Sequence, residues 1–366
     1  MRKLPLNNIL YTLALLISFS SFGQGLVMNY YESGAVESKA NYVDGKRQGE
    51  YINYYESGAV KYRTNFVDGK KQGESISLYE SGRVKSKTNY VNGELHGEYI
   101  GYYESGEIKI KVNYVNGVIK SRYNYVNGEL HGEAIVFYVN GKIKTKVNYV
   151  DGKRQGEYRA NYESGKLQIK VNYVDGKRQG EYINYYEIGT GNCAHITPCA
   201  VKSRFNYVNG ELHGEAIEYY DGFGIGTYSN TVKSRFNYVN GEVQGEYIGY
   251  YVSGAVKYRT NYVNGEVQGE YIGYYVSGAV KYRTNFVDGK KQGEYISYYE
   301  SGEVSLQLNY VDGKAQGKFI GYYKSGAVEY EVNFVDGKEQ GEWISYYISG
   351  EIKETKNYKD GELIKD

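Results

Sequence analysis

The sequence predicts an all-β protein, an elongated single-layer antiparallel meander of tandem 24-residue β-hairpin repeats. Three observations carry that expectation. First, a unit such as NYVDGKRQGEYINYYESGAVKYRT, Asn41 to Thr64, is copied along almost the whole chain. The glycine of its Asp/Asn-Gly pair recurs at Gly45, Gly69 and Gly93, and again from Gly241 through Gly265, Gly289, Gly313 and Gly337 to Gly361, in steps of 24. A fixed period of this size means a repeat architecture, in which one unit is too small to bury a core and is stable only against its neighbours. Second, each copy holds two turn signals half a repeat apart. Third, the runs between the turns are rich in Tyr, Val, Ile and Thr and too short for a helix.

The chain opens differently. Arg2 and Lys3 precede the apolar run Ile9 to Phe22, and small residues follow up to Gly23. That is the layout of a secretory signal peptide, with a run too short for a stable membrane span. Residues 1–23 are expected to be removed and the mature chain exported to the periplasm, cell surface or medium. Residues 24–117 then form an N-terminal block of repeats and residues 118–366 a C-terminal one. Across the 366 residues, Lys+Arg at 44 balance Asp+Glu at 43, so no bulk charge points to nucleic acid. The 48 Gly and 48 Tyr, against 2 Pro and one Trp, lie far from average usage and fit a turn-rich, aromatic repeat.

Within a unit, the Asp44-Gly45 pair predicts a type I′ hairpin turn, which needs positive φ at both central residues. The Ser57-Gly58 pair suits a slightly longer turn with Gly in the left-handed position. Alternation along the second strand places Val60, Tyr62, Thr64 and Phe66 on one face and Lys61, Arg63 and Asn65 on the other. One face is therefore apolar and aromatic, the other basic. Stacked in order, the hairpins would extend on the order of 120 Å at the usual strand spacing. Identical side chains would stand in ladders, each pair contributing about 0.2–1 kcal/mol, and the right-handed twist of sheets would curl so long a layer.

Several slots are fixed between copies. The slot of Tyr55 is Tyr at Tyr79, Tyr103, Tyr251, Tyr275, Tyr299, Tyr323 and Tyr347, among others, and the slot of Asn65 is always Asn. His96, His131 and His213 share one slot with Gln48, Gln72, Gln155, Gln244 and Gln340. A position that accepts His or Gln asks for a hydrogen-bonding group near a turn, not for a base or nucleophile. An array of copies supplies no single unlike constellation of residues, and no nucleophile elbow, phosphate loop or zinc spacing is present. The chain is read as a non-enzyme without cofactor.

The repeat breaks in three places. From Gly117 to Gly128 the step is 11, because one strand and its Ser-Gly turn are missing. Either Val118–Tyr125 pairs and the turns swap edges, or the sheet is interrupted there. Two consecutive copies are lengthened at the Ser-Gly turn, at residues 187–200 and 221–231. Loops on a rigid frame are the usual place for binding residues, which makes His195, Phe223 and Tyr228 partner-binding candidates beside the Tyr ladder. Cys193 and Cys199, the only cysteines, form a disulfide candidate in an exported chain. With His195 they give three metal ligands and no evident fourth, short of a zinc site.

The stretches DGKRQGEYINYYESGAVK and NGELHGEYIGYYESGEIK resemble the bacterial variant of the MORN repeat, and the resemblance covers nearly everything after residue 26. Here the second Gly of the unit is followed by Glu (Gly49-Glu50) where the eukaryotic pattern has a further Gly. The resemblance implies a single-layer array of β-hairpins used for protein contact, dimerisation or association with anionic lipid. Proteins of this variant are often grouped with YwqK-type antitoxins, the immunity partners of polymorphic toxins. Three functional expectations follow. The leading one is an exported scaffold binding a protein, or itself, through its aromatic face, with Tyr55 and its equivalents as contacts. A second is anionic lipid or envelope polyanion binding through Lys61, Arg63, Lys85, Lys87, Arg259 and Arg283. The third is neutralisation of a toxin.

Overall fold

The computed structural model describes residues 25–187, 201–221 and 231–364, and none of them is helical. Two compact units divide the chain, Met1–Glu129 and Leu130–Asp366. Each is an antiparallel meander in which a strand pairs with its predecessor and its successor, as Lys46–Tyr54 does with Val36–Val43 and with Val60–Val67. The all-β repeat of hairpins expected from the period is the observed fold.

Turn chemistry fixes the hairpins. Asp44 and Gly45 have φ of 51° and 74°, and the same signs recur from Asp68-Gly69 to Asp360-Gly361, as a type I′ turn requires. At the other edge, the Gly58 N–H donates to the Tyr55 carbonyl at 2.9 Å and the Tyr55 N–H to the Ala59 carbonyl at 2.8 Å. Gly58 itself sits at φ 86°, the left-handed conformation that only glycine adopts without strain. A third glycine per unit has a structural role that the turn signals do not disclose. Gly49 lies at φ 80° inside a strand, where the pairing shifts between Ala40 and Tyr42. This is a β-bulge, which re-aims the strand after the tight turn.

Register decides the faces. Tyr51 lies opposite Thr64, Asn53 opposite Tyr62 and Gly49 opposite Phe66. Thr64 and Phe66 are buried, whereas Arg63 and Asn65 are exposed, so from Tyr62 onward the faces fall as the alternation predicts. At Lys61 the pairing shifts by one residue and the expected opposite face is lost, Lys61 lining one cavity with Tyr62 and Phe66. With no second layer, few side chains are fully buried, Val171, Ser75, Ser234 and Ala216 among them.

Neighbouring repeats are tied at both edges. The Gly69 N–H of one Asp-Gly turn donates to the Arg47 carbonyl of the repeat before it, at 2.9 Å. Gln48 Oε1 accepts the Asp68 backbone N–H at 2.8 Å, and Gln72, Gln155, Gln268 and Gln340 do the same for their following turns. The Gln/His slot is thus a turn-holding position. His131, its imidazole counterpart, places Nδ1 3.3 Å from Asp151 Oδ1 of the next turn.

At the shortened repeat the segment pairs. Val118–Val126 runs antiparallel to Ile108–Val115, from Ile110 opposite Asn124 to Val115 opposite Val118, and Asn127 starts another turn with φ 51°. The Asn-Gly turns at its two ends therefore lie at opposite ends of one strand. The lengthened turns leave the register untouched. Tyr185 faces Val201 across the first as Tyr54 faces Val60 in an ordinary copy. The second is closed by Tyr220 N–H to the Thr231 carbonyl at 3.0 Å. The signal-peptide segment 1–23, Cys193, His195, Cys199, Phe223 and Tyr228 lie outside the described residues.

Candidate binding surface

The aromatic face is built from two slots that meet across each hairpin. In the second unit Phe236, Tyr247, Tyr258, Tyr271, Tyr282 and Tyr295 follow one another as a stack. Successive ring centroids are 4.8, 5.8, 5.5, 5.9 and 5.9 Å apart, with interplanar angles between 7° and 17°. Strand spacing of about 4.8 Å sets this ladder, because one ring per strand lands near stacking distance. Glycine makes room for it: a Cβ on Gly249, Gly273 or Gly321 would come within 2.4 Å of the ring of Tyr258, Tyr282 or Tyr330.

Cations wedge between rings on the same face. Lys291 Nζ lies 5.2 Å from the Tyr295 centroid and 4.7 Å from that of Tyr310, and Arg178 lies 5.7 and 5.2 Å from Tyr182 and Tyr207. Each such contact contributes about 0.5–1 kcal/mol at an exposed site. The electrostatics follow. Burial, then hydrogen bonding to Tyr247, raises the Tyr258 hydroxyl above its ordinary range, and burial with a hydrogen bond to Tyr282 does the same for Tyr271. Burial also raises Tyr173, but hydrogen bonds and charge from Arg178 and Arg154 outweigh it and bring it below that range.

Tyr55 and its equivalents stand elsewhere, at the Ser-Gly turns, and tie repeats together. The Tyr55 hydroxyl donates to the Leu78 carbonyl at 2.9 Å, Tyr79 to Tyr102 at 2.8 Å, and Tyr251, Tyr275, Tyr299 and Tyr323 donate in the same way at 2.7–2.8 Å. Tyr103, next to the shortened repeat, reaches the Tyr125 carbonyl only at 3.4 Å. Tyr347 is the one of these that is 51 % exposed. The stacked slot of Tyr51 and Tyr247 was passed over by sequence reasoning. Its signal was available: a ring at Tyr247, Tyr271, Tyr295, Phe319 and Trp343, every 24 residues.

On the opposite face the basic ladder is largely matched by carboxylates. Lys87 meets Glu74 at 3.9 Å, Arg259 meets Glu246 at 3.7 Å and Arg204 meets Glu181 at 3.4 Å. Lys61 and Lys85 depart from that face: they line one cavity with Tyr51, Tyr62 and Phe66 and rest over the rings of Tyr55 and Tyr79, each at 5.5 Å, whereas Arg283 lies 6.0 Å from the Tyr298 centroid. Arg63 is exposed, opposite Ile52 and Ile76. Among the described residues no group of three or more His, Cys, Asp or Glu could hold a metal, and no helix is long and apolar enough to cross a membrane.

The repeat geometry agrees with the family comparison. The model of the MORN repeat variant matches residues 24–44, 47–68, 71–92, 95–116, 130–151, 154–175, 291–312, 315–336 and 339–360. The chain belongs to the MORN repeat variant family. No curated protein matches it. Among solved structures it is similar to the crystal structure of TcdB2-TccC3, at 13 % identity and a TM-score of 0.20, over 91 % of this chain and 21 % of that one. It is also similar to the Photorhabdus luminescens Tc holotoxin pore carrying the TccC3-D651A mutation, at 10 % identity and a TM-score of 0.15, over 91 % and 22 % of the respective chains. This MORN-variant chain thus spans about a fifth of the length of those proteins.

Proposed function

We propose that this chain is a non-enzymatic, exported MORN-variant scaffold that binds a protein partner, or a second copy of itself, along its aromatic face. The observation that carries this reading is the uninterrupted ring stack from Phe236 to Tyr295. Stacked tyrosines offer a wide, rigid contact area with polar tips, so little side-chain entropy is lost when a partner docks. The paired carboxylates opposite Lys87, Arg204 and Arg259 favour this over capture of a polyanion, because exposed, internally matched ion pairs leave little net field. The lengthened turns at 187–200 and 221–231 are the natural place for partner selectivity, since loops on a rigid frame carry binding residues.

The test is capture by the immobilised mature chain from the envelope fraction, at low and high salt, beside sedimentation velocity of the chain alone. Protein capture or self-association that persists in high salt and is lost in a Tyr258→Ser/Tyr271→Ser/Tyr282→Ser variant supports the reading. Binding that collapses with salt and survives that variant would transfer the function to the basic ladder. A single tight partner in cytosolic extract, together with an uncleaved N-terminus by mass spectrometry, would favour toxin neutralisation.

A further inference from the structure

The aromatic ladder of the first unit has a gap, and the gap is a cavity. In the second unit the two ring slots are filled by Tyr247 and Tyr258, then Tyr271 and Tyr282. In the strands Gly73–Leu78 and Val84–Val91 the same slots hold Ser75 and Ser86. Rings resume on either side, at Tyr62 and at Tyr99. Those two residues stand on strands three spacings apart, about 14 Å; Ser75 is itself buried, so the opening lies over Ser77 and Ser86. The space is an open cavity of ≈ 570 Å³ with Tyr62, Tyr99, Tyr51 and Phe66 as walls and Ser77 and Ser86 in its floor. That volume lies in the range of small-molecule sites.

Its charge is one-sided. The charged residues lining it are Arg47, Lys61, Lys71 and Lys85, with no carboxylate among them. These four rest on rings, as Lys291 and Arg178 do in the second unit: Lys71 Nζ lies 5.1 Å from the Tyr62 centroid and 4.8 Å from that of Tyr90. Arg47 lies 5.0 Å from the Tyr51 centroid and 5.4 Å from that of Phe66. A π-face attracts a cation without neutralising it, so the cavity keeps an unbalanced positive charge beside an empty stacking position.

We propose that this gap binds a small aromatic carboxylate, an anion built on a flat body of one or two rings. The ligand ring takes the plane vacated at Ser86, between Tyr99 and the Tyr62–Lys71 pair. The carboxylate meets the ammonium groups at the rim, with Lys71 as the principal contact, and the hydroxyls of Ser77 and Ser86 face any polar edge of the ring. The site lies wholly in the first unit and does not depend on the protein-binding reading of the ring stack.

The probe is naphthalene-2-carboxylate, titrated calorimetrically into the mature full-length chain beside its neutral amide. The acid should bind one to one and at least tenfold more tightly than the amide, about 1.4 kcal/mol, with the preference narrowing as salt rises. Ser86→Tyr, which restores the residue found in the second unit, should abolish binding while leaving the β signal and thermal midpoint intact. Lys71→Gln should remove most of the preference for acid over amide, and it serves as the test should the Ser86 variant fold poorly. No measurable binding of the acid, equal binding of acid and amide, or unchanged affinity in the refilled chain or in Lys71→Gln would each overturn the proposal.

Discussion

Replacing Gly273 by Ala should destabilise the protein, although propensity alone argues the opposite. Gly273 is buried in the middle of a strand, opposite Tyr282, and its φ is not in the left-handed region. Ala at such a position ordinarily gains roughly 0.5–1 kcal/mol through lower backbone entropy in the unfolded chain. Here the new Cβ would lie 2.4 Å from Tyr282 Cε1 and 2.5 Å from Cζ, inside van der Waals contact. The ring has to leave its plane, and it is held from both sides, 5.9 Å and 11° from Tyr271 and 5.9 Å and 17° from Tyr295.

The chain already contains the outcome. Where the slot carries a Cβ, at Asn53 opposite Tyr62, the ring is tilted 58° against Tyr51 at 6.4 Å and does not stack. Losing two stacking contacts at about 0.5–1.5 kcal/mol each, offset by the entropic gain, leaves a net destabilisation centred on ~1 kcal/mol and reaching at most about 2.5 kcal/mol. Repeat arrays need not unfold all at once, so urea midpoints should be read with amide exchange of Glu266–Tyr274 and Val280–Val287. Exchange should accelerate locally, and in a Tyr282→Leu background the penalty should vanish. A Gly273→Ala midpoint at or above wild type, with stacking preserved in near-ultraviolet dichroism, would refute the reasoning.

Tyr275→Phe removes the donor to the Tyr298 carbonyl at 2.8 Å and should cost about 0.5–1.5 kcal/mol in chemical denaturation without altering ligand capture, since the ring stack is untouched. Gln268→Ala exposes the Asp288 N–H that it now holds at 2.8 Å. Water can replace that bond, so the loss should stay below about 1 kcal/mol and appear as faster exchange of the Asp288 amide. In alkaline titration Tyr258 and Tyr271 should ionise after the ordinary tyrosines, because burial raises both. Their stability contribution is whole below the ordinary value of 10.0 and is lost as pH climbs through the folded values, so unfolding should follow tyrosinate formation in the stack. Removing one whole unit, Gly265 to Asp288, should leave a folded chain with its β dichroism per residue unchanged, as nearest-neighbour coupling implies; collapse of that signal would refute modularity.

The period, the two turn types and the strand faces were legible in the sequence because each is a local matter. Asp44-Gly45 and Ser57-Gly58 select their turns through the φ that only Gly and Asn/Asp tolerate. Alternation then assigns Tyr62, Thr64 and Phe66 to one face whatever the neighbours are. The role of the Gln/His slot was legible in kind, as a hydrogen-bonding position near a turn, but its partner was not. Gln48 reaches the turn at Asp68 across a strand pairing that sequence spacing does not display. The same holds for Tyr55, whose fixed identity reads equally well as a binding ladder or as a tie. Only the tertiary structure shows its hydroxyl spent on the Leu78 carbonyl. Register is what the sequence leaves open. The bulge at Gly49 shifts the pairing with the preceding strand by two residues, and that shift sets which slots of the two strands face each other, Tyr51 with Ala40 and Gly273 with Tyr258. Stacking, the ring-sized gap at Ser86 and the matched charges of the opposite face all depend on that through-space pairing, so the sequence alone determined the repeat and the tertiary structure decided its surfaces.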